Sequence, residues 1–146
     1  MNKDMKLSEH FSLGELTKTN YVTKDGNFPS RVAIENLTNI CENWLEALRQ
    51  AQGPLIINSG YRSPEVNKFA GGSSTSNHLT GCAVDIRVAG FEQAVRYASI
   101  LLDISDGTKR DYDELFIEKN SAGRYWIHFA VRPKDNRRKC KFILTS

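Results

Sequence analysis

Two segments that alternate apolar and polar residues constrain the fold of this chain more than any other sequence feature. Residues 82–88 read CAVDIRV and residues 125–131 read YWIHFAV. Successive side chains of a β-strand point to opposite faces of a sheet. Each segment therefore predicts a strand with one apolar face, and Asp85 and His128 lie on the faces that point away from the core.

The remaining pattern predicts a mixture of helices and strands. Apolar residues recur at helical spacing in residues 32–50 and 91–103, and Ser12 with Glu15 forms a capping-box pattern at a third helix start. Further β-prone runs lie at residues 55–57, 115–118 and 140–144. This order predicts one α+β domain over residues 1–146, with an antiparallel sheet that carries helices on one face.

Composition and sequence pattern argue against a membrane-spanning protein, a signal peptide and a disulfide-rich scaffold. Of the 146 residues, 40% are hydrophobic and 25% charged, which is ordinary for a globular protein. No apolar run approaches the roughly 20 residues that span a bilayer, and the N-terminus has no signal-peptide pattern. Three cysteines without paired spacing argue against a disulfide framework. We therefore expect synthesis in the cytoplasm, no membrane partner, and a monomer.

The charge balance is mildly basic, with a net charge of +3. The one basic run lies next to the C-terminus, in residues 134–141. Two interpretations of this run stay open: a solvated turn and edge strand, or a patch that attracts an anionic polymer such as teichoic acid or nucleic acid. The net charge is well below that of dedicated nucleic-acid-binding domains, so we expect no nucleic-acid partner.

Ionisable side chains converge on the polar face of the predicted sheet. Asp85, His128 and Glu118 fall on that face by alternation, and His78 lies in the loop that enters the Asp85 strand. Two imidazoles and a carboxylate are a three-ligand set typical of catalytic zinc, which keeps a fourth position open. Gly81 and Ala83 suggest a crowded place where the chain approaches the metal closely. A histidine on a strand can equally be an ordinary surface residue.

Three separate motifs resemble those of the zinc D-Ala-D-Ala carboxypeptidase family. They are Ser59-Gly60-Tyr61-Arg62-Ser63-Pro64, then Ser76-x-His78-x-x-Gly81-x-Ala83-x-Asp85, then Trp126-x-His128. The order and spacing resemble most the compact phage and bacterial branch of peptidoglycan peptidases, which shares its fold with the hedgehog signalling domain. The resemblance extends from residue 7 to about residue 131.

The resemblance implies a role for each matching residue. The Zn²⁺ ligands would be His78, Asp85 and His128. Arg62 would bind a substrate carboxylate or a carbonyl oxygen near the scissile bond, and Ser76 would line the pocket. Trp126, which alternation places on the site face, would form a pocket wall.

The general base departs from the commoner family pattern. Many members carry a catalytic carboxylate three residues before the last histidine, where this chain has Tyr125. The compact branch and the hedgehog domain instead have a glutamate at the end of the preceding strand, and Glu118 matches that position. The resemblance thus assigns Glu118 as the base, with Asp113 and Glu114 as weaker candidates.

The sequence leaves two functions in competition. The first is a zinc metallopeptidase that hydrolyses peptidoglycan stem peptides, as a carboxypeptidase or an endolysin-type endopeptidase. The second, favoured by Tyr125, is a non-catalytic zinc-containing module that binds the cell wall, since fold alone does not fix function. Either would act on the cell wall, and release from a phage or attachment to a virion fits the N-terminal sequence.

Overall fold

The computed structural model describes residues 1–145, which form seven strands and five α-helices. A short hairpin of β1 (Lys6–Ser8) and β2 (Phe11–Ser12) leads into α1 (Leu13–Thr17). Both hydrogen bonds of the capping box between Ser12 and Glu15 are present at the start of α1. This confirms the predicted helix start. Within residues 1–145, no helix is both long and apolar enough to cross a membrane.

The predicted helix at residues 32–50 is one long helical element with an irregular middle. It comprises α2 (Arg31–Ile40), a π-helical turn (Cys41–Leu45) and α3 (Glu46–Gln52). Its buried side is apolar throughout, and the Trp44 ring lies 5.0 Å from that of Phe129 in the sheet. Gly53 ends the element at a φ of 89°, a conformation that glycine adopts without strain.

The second half of the chain builds the sheet. After β3 (Ile57–Ser59) come α4 (Pro64–Phe69), a 3₁₀ turn (Asn77–Thr80) and β4 (Ala83–Arg87). Next is α5 (Phe91–Thr108), which extends five residues beyond the predicted end, and then β5 (Glu114–Lys119), β6 (Tyr125–Ala130) and β7 (Lys139–Leu144). The strand order is β3-β4-β6-β5-β7.

The sheet is mixed, so the prediction of an antiparallel sheet is wrong at one edge. Three of its pairings are antiparallel, but β7 lies parallel to β5. The alternation within a strand is the same for both orientations, so the sequence pattern does not distinguish them. What decides the direction is the connection over residues 131–138, which carries the chain back so that β7 starts beside the start of β5.

The two faces of the sheet differ as the alternation predicts. Val84, Ile86, Leu115, Ile127 and Phe129 point into one core. The long helical element and α5 pack on that side, with α3 touching α5, and α5 touching β5 and β6. The opposite face carries the ionisable side chains considered next.

Candidate metal centre

Strand register brings the predicted site residues into one row across the sheet. Asp85 of β4 lies directly opposite His128 of β6, and His128 lies directly opposite Phe116 of β5. Directly opposed residues point to the same face. The Phe116 ring stacks on the His128 imidazole, with centroids 5.3 Å apart. The row therefore presents a carboxylate and an imidazole beside an apolar surface.

His78 reaches this row from the 3₁₀ turn. The Ser76 side chain caps the turn by accepting a hydrogen bond from the His78 backbone N–H at 3.1 Å. Gly81 ends the turn at a φ of 73°, and a Cβ there would lie 2.4 Å from the Ala33 carbonyl oxygen of α2. The close approach at Gly81 is therefore to helix α2.

Three ligand atoms meet at the centre of the face. Asp85 Oδ1 lies 3.0 Å from His128 Nδ1 and 3.3 Å from His78 Nε2. Ligand atoms of the three residues all lie within 4.8 Å of one another. All three residues are at most 9% exposed. The structure thus brings together the three residues predicted to bind a metal.

The neighbouring groups fix how these ligands are oriented. The Gly60 carbonyl oxygen lies 2.7 Å from His78 Nδ1, and a carbonyl can only accept, so Nδ1 carries the proton and Nε2 faces Asp85. Arg62 donates to the other carboxylate oxygen, Asp85 Oδ2, at 3.2 Å, and its Nε donates to Ser59. Hydrogen bonds from neighbouring groups thus fix the orientation of His78 and Asp85, as is usual for metal ligands.

The charges of the cluster stabilise one another in the absence of a metal. Burial by itself would raise the pKa of Asp85, but the adjoining His78 and His128 outweigh it and hold that pKa far below its ordinary range. Burial would lower the pKa of His128, but hydrogen bonds to Asp85 and Glu114 raise it to about 10. Metal binding must therefore displace a proton from His128, and affinity for a metal falls as the pH falls.

A cleft with a volume of about 1010 Å³ opens over the cluster. All seven residues that the sequence assigned to the site line it, namely Arg62, Ser76, His78, Asp85, Glu118, Trp126 and His128. Tyr125 has a different position: it is partly buried against the core, and its ring packs on Phe91 at 5.6 Å. Position 125, where many members of the resembling family carry a catalytic carboxylate, therefore points away from the cleft, as alternation predicts.

Glu118 and Asp113 differ sharply in their surroundings. Burial raises the pKa of Glu118 most and the charge of Asp85 adds to it, while His128, Trp126 and Arg62 act the other way. Asp113 is fully buried and accepts hydrogen bonds from Arg137 and Asn77. Its pKa, which burial would raise, is lowered to about 2 by those bonds. Asp113 lies outside the residues that line the cleft, so its contacts indicate a structural role.

Comparison with known sequences identifies the family of this chain. The family model described as peptidase M15 matches residues 9–110. The chain belongs to the peptidase M15 family. It is also 30% identical to the zinc D-Ala-D-Ala carboxypeptidase of Streptomyces albus G over 80% of this chain and 48% of that protein. The chain thus spans about half the length of this relative.

The M15 match covers only part of the candidate site. Arg62, His78 and Asp85 lie within residues 9–110, whereas Glu118 and His128 lie beyond them. The placement of these two residues beside the others therefore rests on the geometry of β5 and β6.

Two residues of the candidate site had no assigned role in the sequence analysis. Gly60 supplies the carbonyl that orients His78, and a Cβ at this position would lie 2.2 Å from the Leu16 carbonyl oxygen. Asn77 bridges Asp113 and Glu114 through its side-chain amide. Gly60 stands in the Ser59–Pro64 motif, which gave a signal for it. The sequence gave no signal for Asn77, because its partners Asp113 and Glu114 lie 36 and 37 residues further along the chain.

The basic run contributes to structure as well as to charge. It ends in β7, the edge strand of the sheet. Arg137 pairs with Asp113 at 2.7 Å, and Arg138 pairs with Asp111 at 3.0 Å. Part of the run thus anchors the connection between β6 and β7.

Proposed function

We propose that this protein is a zinc-dependent peptidase that hydrolyses the stem peptides of peptidoglycan. The observation that carries the proposal is the buried cluster of His78, Asp85 and His128 at the bottom of an open cleft, in a member of the M15 family. The name of the relative from Streptomyces albus G supports both the metal and a substrate that ends in D-Ala-D-Ala.

The donor set fits zinc. Zinc binds histidine nitrogen and carboxylate oxygen at about 2.0–2.2 Å, so neighbouring ligands of a tetrahedral site lie about 3.3 Å apart. The distances from Asp85 Oδ1 to His128 Nδ1 and His78 Nε2 are 3.0 and 3.3 Å. Three protein ligands also leave one position free for water or substrate.

Zinc held by these residues would supply Lewis-acid activation of water and of the scissile carbonyl. In this proposal Glu118 accepts the proton of the attacking water and later gives it to the leaving amine. Its position on the cleft supports the role, and its raised pKa brings it closer to the pH at which a base works best.

Arg62 would bind the substrate carboxylate or a carbonyl oxygen near the scissile bond. Its Nε and one terminal nitrogen are used by Ser59 and Asp85, and the planar guanidinium has five N–H donors in all. Donors therefore remain for a substrate. Trp126 and Ser76 would form walls of the cleft that they line.

The action on stem peptides covers two reactions: removal of a terminal D-alanine and cleavage within a crosslink. The relative's name favours the first. Endolysin-type cleavage after release from a phage is the second form of the same proposal, and both place the activity at the cell wall.

The test is digestion of defined stem peptides by metal-depleted protein reloaded with zinc. One substrate ends in D-Ala-D-Ala, a second has L-alanine at its end, and a third is a crosslinked dimer. Mass spectrometry identifies the products. We expect zinc to restore release of D-alanine or cleavage of the crosslink, and magnesium to restore neither, because it prefers an all-oxygen octahedral site.

One result would contradict the proposal. If fully zinc-loaded protein cleaves none of the three peptides but sediments with purified cell walls, the chain is the wall-binding module that the sequence left as an alternative.

A further inference from the structure

We propose that Glu114 is a positioning residue that fixes the His128 ring so that its Nδ1 faces the metal. The inference rests on the proposed zinc site, but it concerns a cleft residue that contacts a ligand, and not the hydrolytic step. Glu114 starts β5 and lies on the same face as His128, whose backbone pairs with Phe116 two residues later.

The first support is the contact between the two side chains. Glu114 Oε1 lies 2.9 Å from His128 Nε2, while His128 Nδ1 faces Asp85 at 3.0 Å. A carboxylate accepts hydrogen bonds, so Nε2 carries the proton that Glu114 binds. Nδ1 faces the Asp85 carboxylate in the same way, so a metal at this centre would replace the proton on Nδ1 and leave the proton on Nε2 with Glu114. Glu114 thus holds one ring orientation, and with a metal on Nδ1 it holds the tautomer protonated at Nε2.

The second support is that Glu114 is itself held in place. Asn77 Nδ2 donates to Glu114 Oε1 at 2.8 Å and to Asp113 Oδ2 at 2.8 Å. The direction of this amide is fixed, because Arg132 donates to its oxygen at 3.2 Å and arginine cannot accept. Asn77 precedes His78 directly. The same turn therefore delivers one ligand and secures the group that orients another.

The two histidines consequently present different nitrogens to one point. A backbone carbonyl binds Nδ1 of His78 so that Nε2 points to Asp85, whereas Glu114 binds Nε2 of His128 so that Nδ1 points to Asp85. A ring flip of His128 would replace the nitrogen at the metal with a carbon. Glu114 prevents that flip with a charge-assisted hydrogen bond.

Two substitutions separate positioning from other roles. In Glu114→Gln the amide oxygen can still accept from His128 and Asn77, and only the charge is lost. In Glu114→Leu the acceptor is lost at similar volume. Glu92→Gln on α5 is the matched control, since Glu92 is exposed and pairs with Arg96.

The experiment measures zinc affinity by competition with a chelator, and ring tautomers by ¹⁵N spectroscopy of the histidines. Loss of an outer-shell partner typically costs about 10–100-fold in metal affinity, which we expect for Glu114→Leu. A neutral acceptor makes a hydrogen bond roughly half as strong as a charged one, so Glu114→Gln should lose about tenfold or less. In zinc-loaded Glu114→Gln, His128 should keep its proton on Nε2. Thermal unfolding of the metal-free variants shows whether each is folded.

Three results would overturn the inference. Wild-type zinc affinity in folded Glu114→Leu would show that the contact does not position His128. Equal losses in both variants would assign the effect to charge alone. A glutamine variant with normal zinc affinity but peptidase activity reduced at least 100-fold would make Glu114 the base. If no variant or wild-type protein cleaves peptide, the affinities and tautomers still decide the question.

Discussion

The two ends of β5 carry the same side chain in opposite environments. Glu114 and Glu118 share one face of one strand and are four residues apart. Burial would raise the pKa of Glu114, but hydrogen bonds from His128 and Asn77 outweigh it and lower that pKa. At Glu118 burial dominates, and the pKa is raised.

The difference separates two functions that a carboxylate can have beside a metal. A carboxylate with a lowered pKa and bound donors remains charged and serves as a fixed acceptor. A carboxylate with a raised pKa exchanges protons nearer neutral pH. Strand geometry makes the two glutamates equivalent, so the neighbours contributed by other elements decide which of them suits acid–base chemistry.

The largest effect should come from removing His128, which lies opposite the middle of β5, between Glu114 and Glu118. His128→Ala deletes one predicted ligand and the partner of Glu114 together. We expect stoichiometric zinc binding to be lost and peptide hydrolysis to fall below detection. Metal analysis after gel filtration, with Glu92→Gln as the control, measures this. Full zinc occupancy at wild-type affinity would refute the ligand assignment.

Glu118→Gln tests most directly whether Glu118, and not Glu114, is the base. It keeps the shape of the side chain and removes the proton acceptor, so the rate should fall by about 10² to 10⁴. Zinc content should not change, because Glu118 is not a proposed ligand.

Tyr125→Phe is the matched control, since that ring packs against Phe91 on the core side. We expect its hydrolysis rate to stay close to that of wild type. Near-normal rates in both variants would move the base away from Glu118.

Arg62→Lys tests the arginine that contacts the Asp85 carboxylate. Lysine cannot reproduce the fork that contacts Ser59 and Asp85 while it binds substrate. We expect a loss of about 1.5–3 kcal/mol in transition-state binding, the usual contribution of a hydrogen bond to a charged group. Zinc content at saturating metal should be normal. Steady-state kinetics on the D-Ala-D-Ala peptide measures the loss, and unchanged kcat/KM would exclude a substrate role.

The smallest effect on catalysis, and a clear one on stability, should come from Asp113 beside Glu114. Its folded-state pKa of about 2 lies below the ordinary 3.8. The unfolded chain therefore takes up the proton first, so the stabilisation is complete above pH 5 and is lost as the pH falls towards 2. The shift corresponds to about 2 kcal/mol.

Urea unfolding of metal-free wild type and Asp113→Asn provides the measurement. The free energy of unfolding of the wild-type protein should exceed that of Asp113→Asn at pH 6, and this difference should become smaller by pH 3. A difference in unfolding free energy that does not change with pH would show that the Asp113 charge does not stabilise the fold.

Much of the fold could be predicted from local pattern. The capping box at Ser12, the long helix and the facing of Asp85 and His128 follow from rules that involve neighbours within a few residues. The direction of β7 could not be predicted in this way, since the connection before it decides that direction. The π-helical turn at Cys41–Leu45 also had no signal in the apolar spacing.

The sequence by itself determined which residues could form a site: the strand alternation placed Asp85, His128 and Glu118 on one face, the loop before the Asp85 strand contributed His78, and the family resemblance added Arg62. Only the tertiary structure decided which groups surround each of them. Register set Asp85 against His128, and the 3₁₀ turn brought Asn77 to Glu114. The physical reason is that protonation and ring orientation depend on donors and acceptors within about 3 Å. In this site those partners come from segments far apart in the chain.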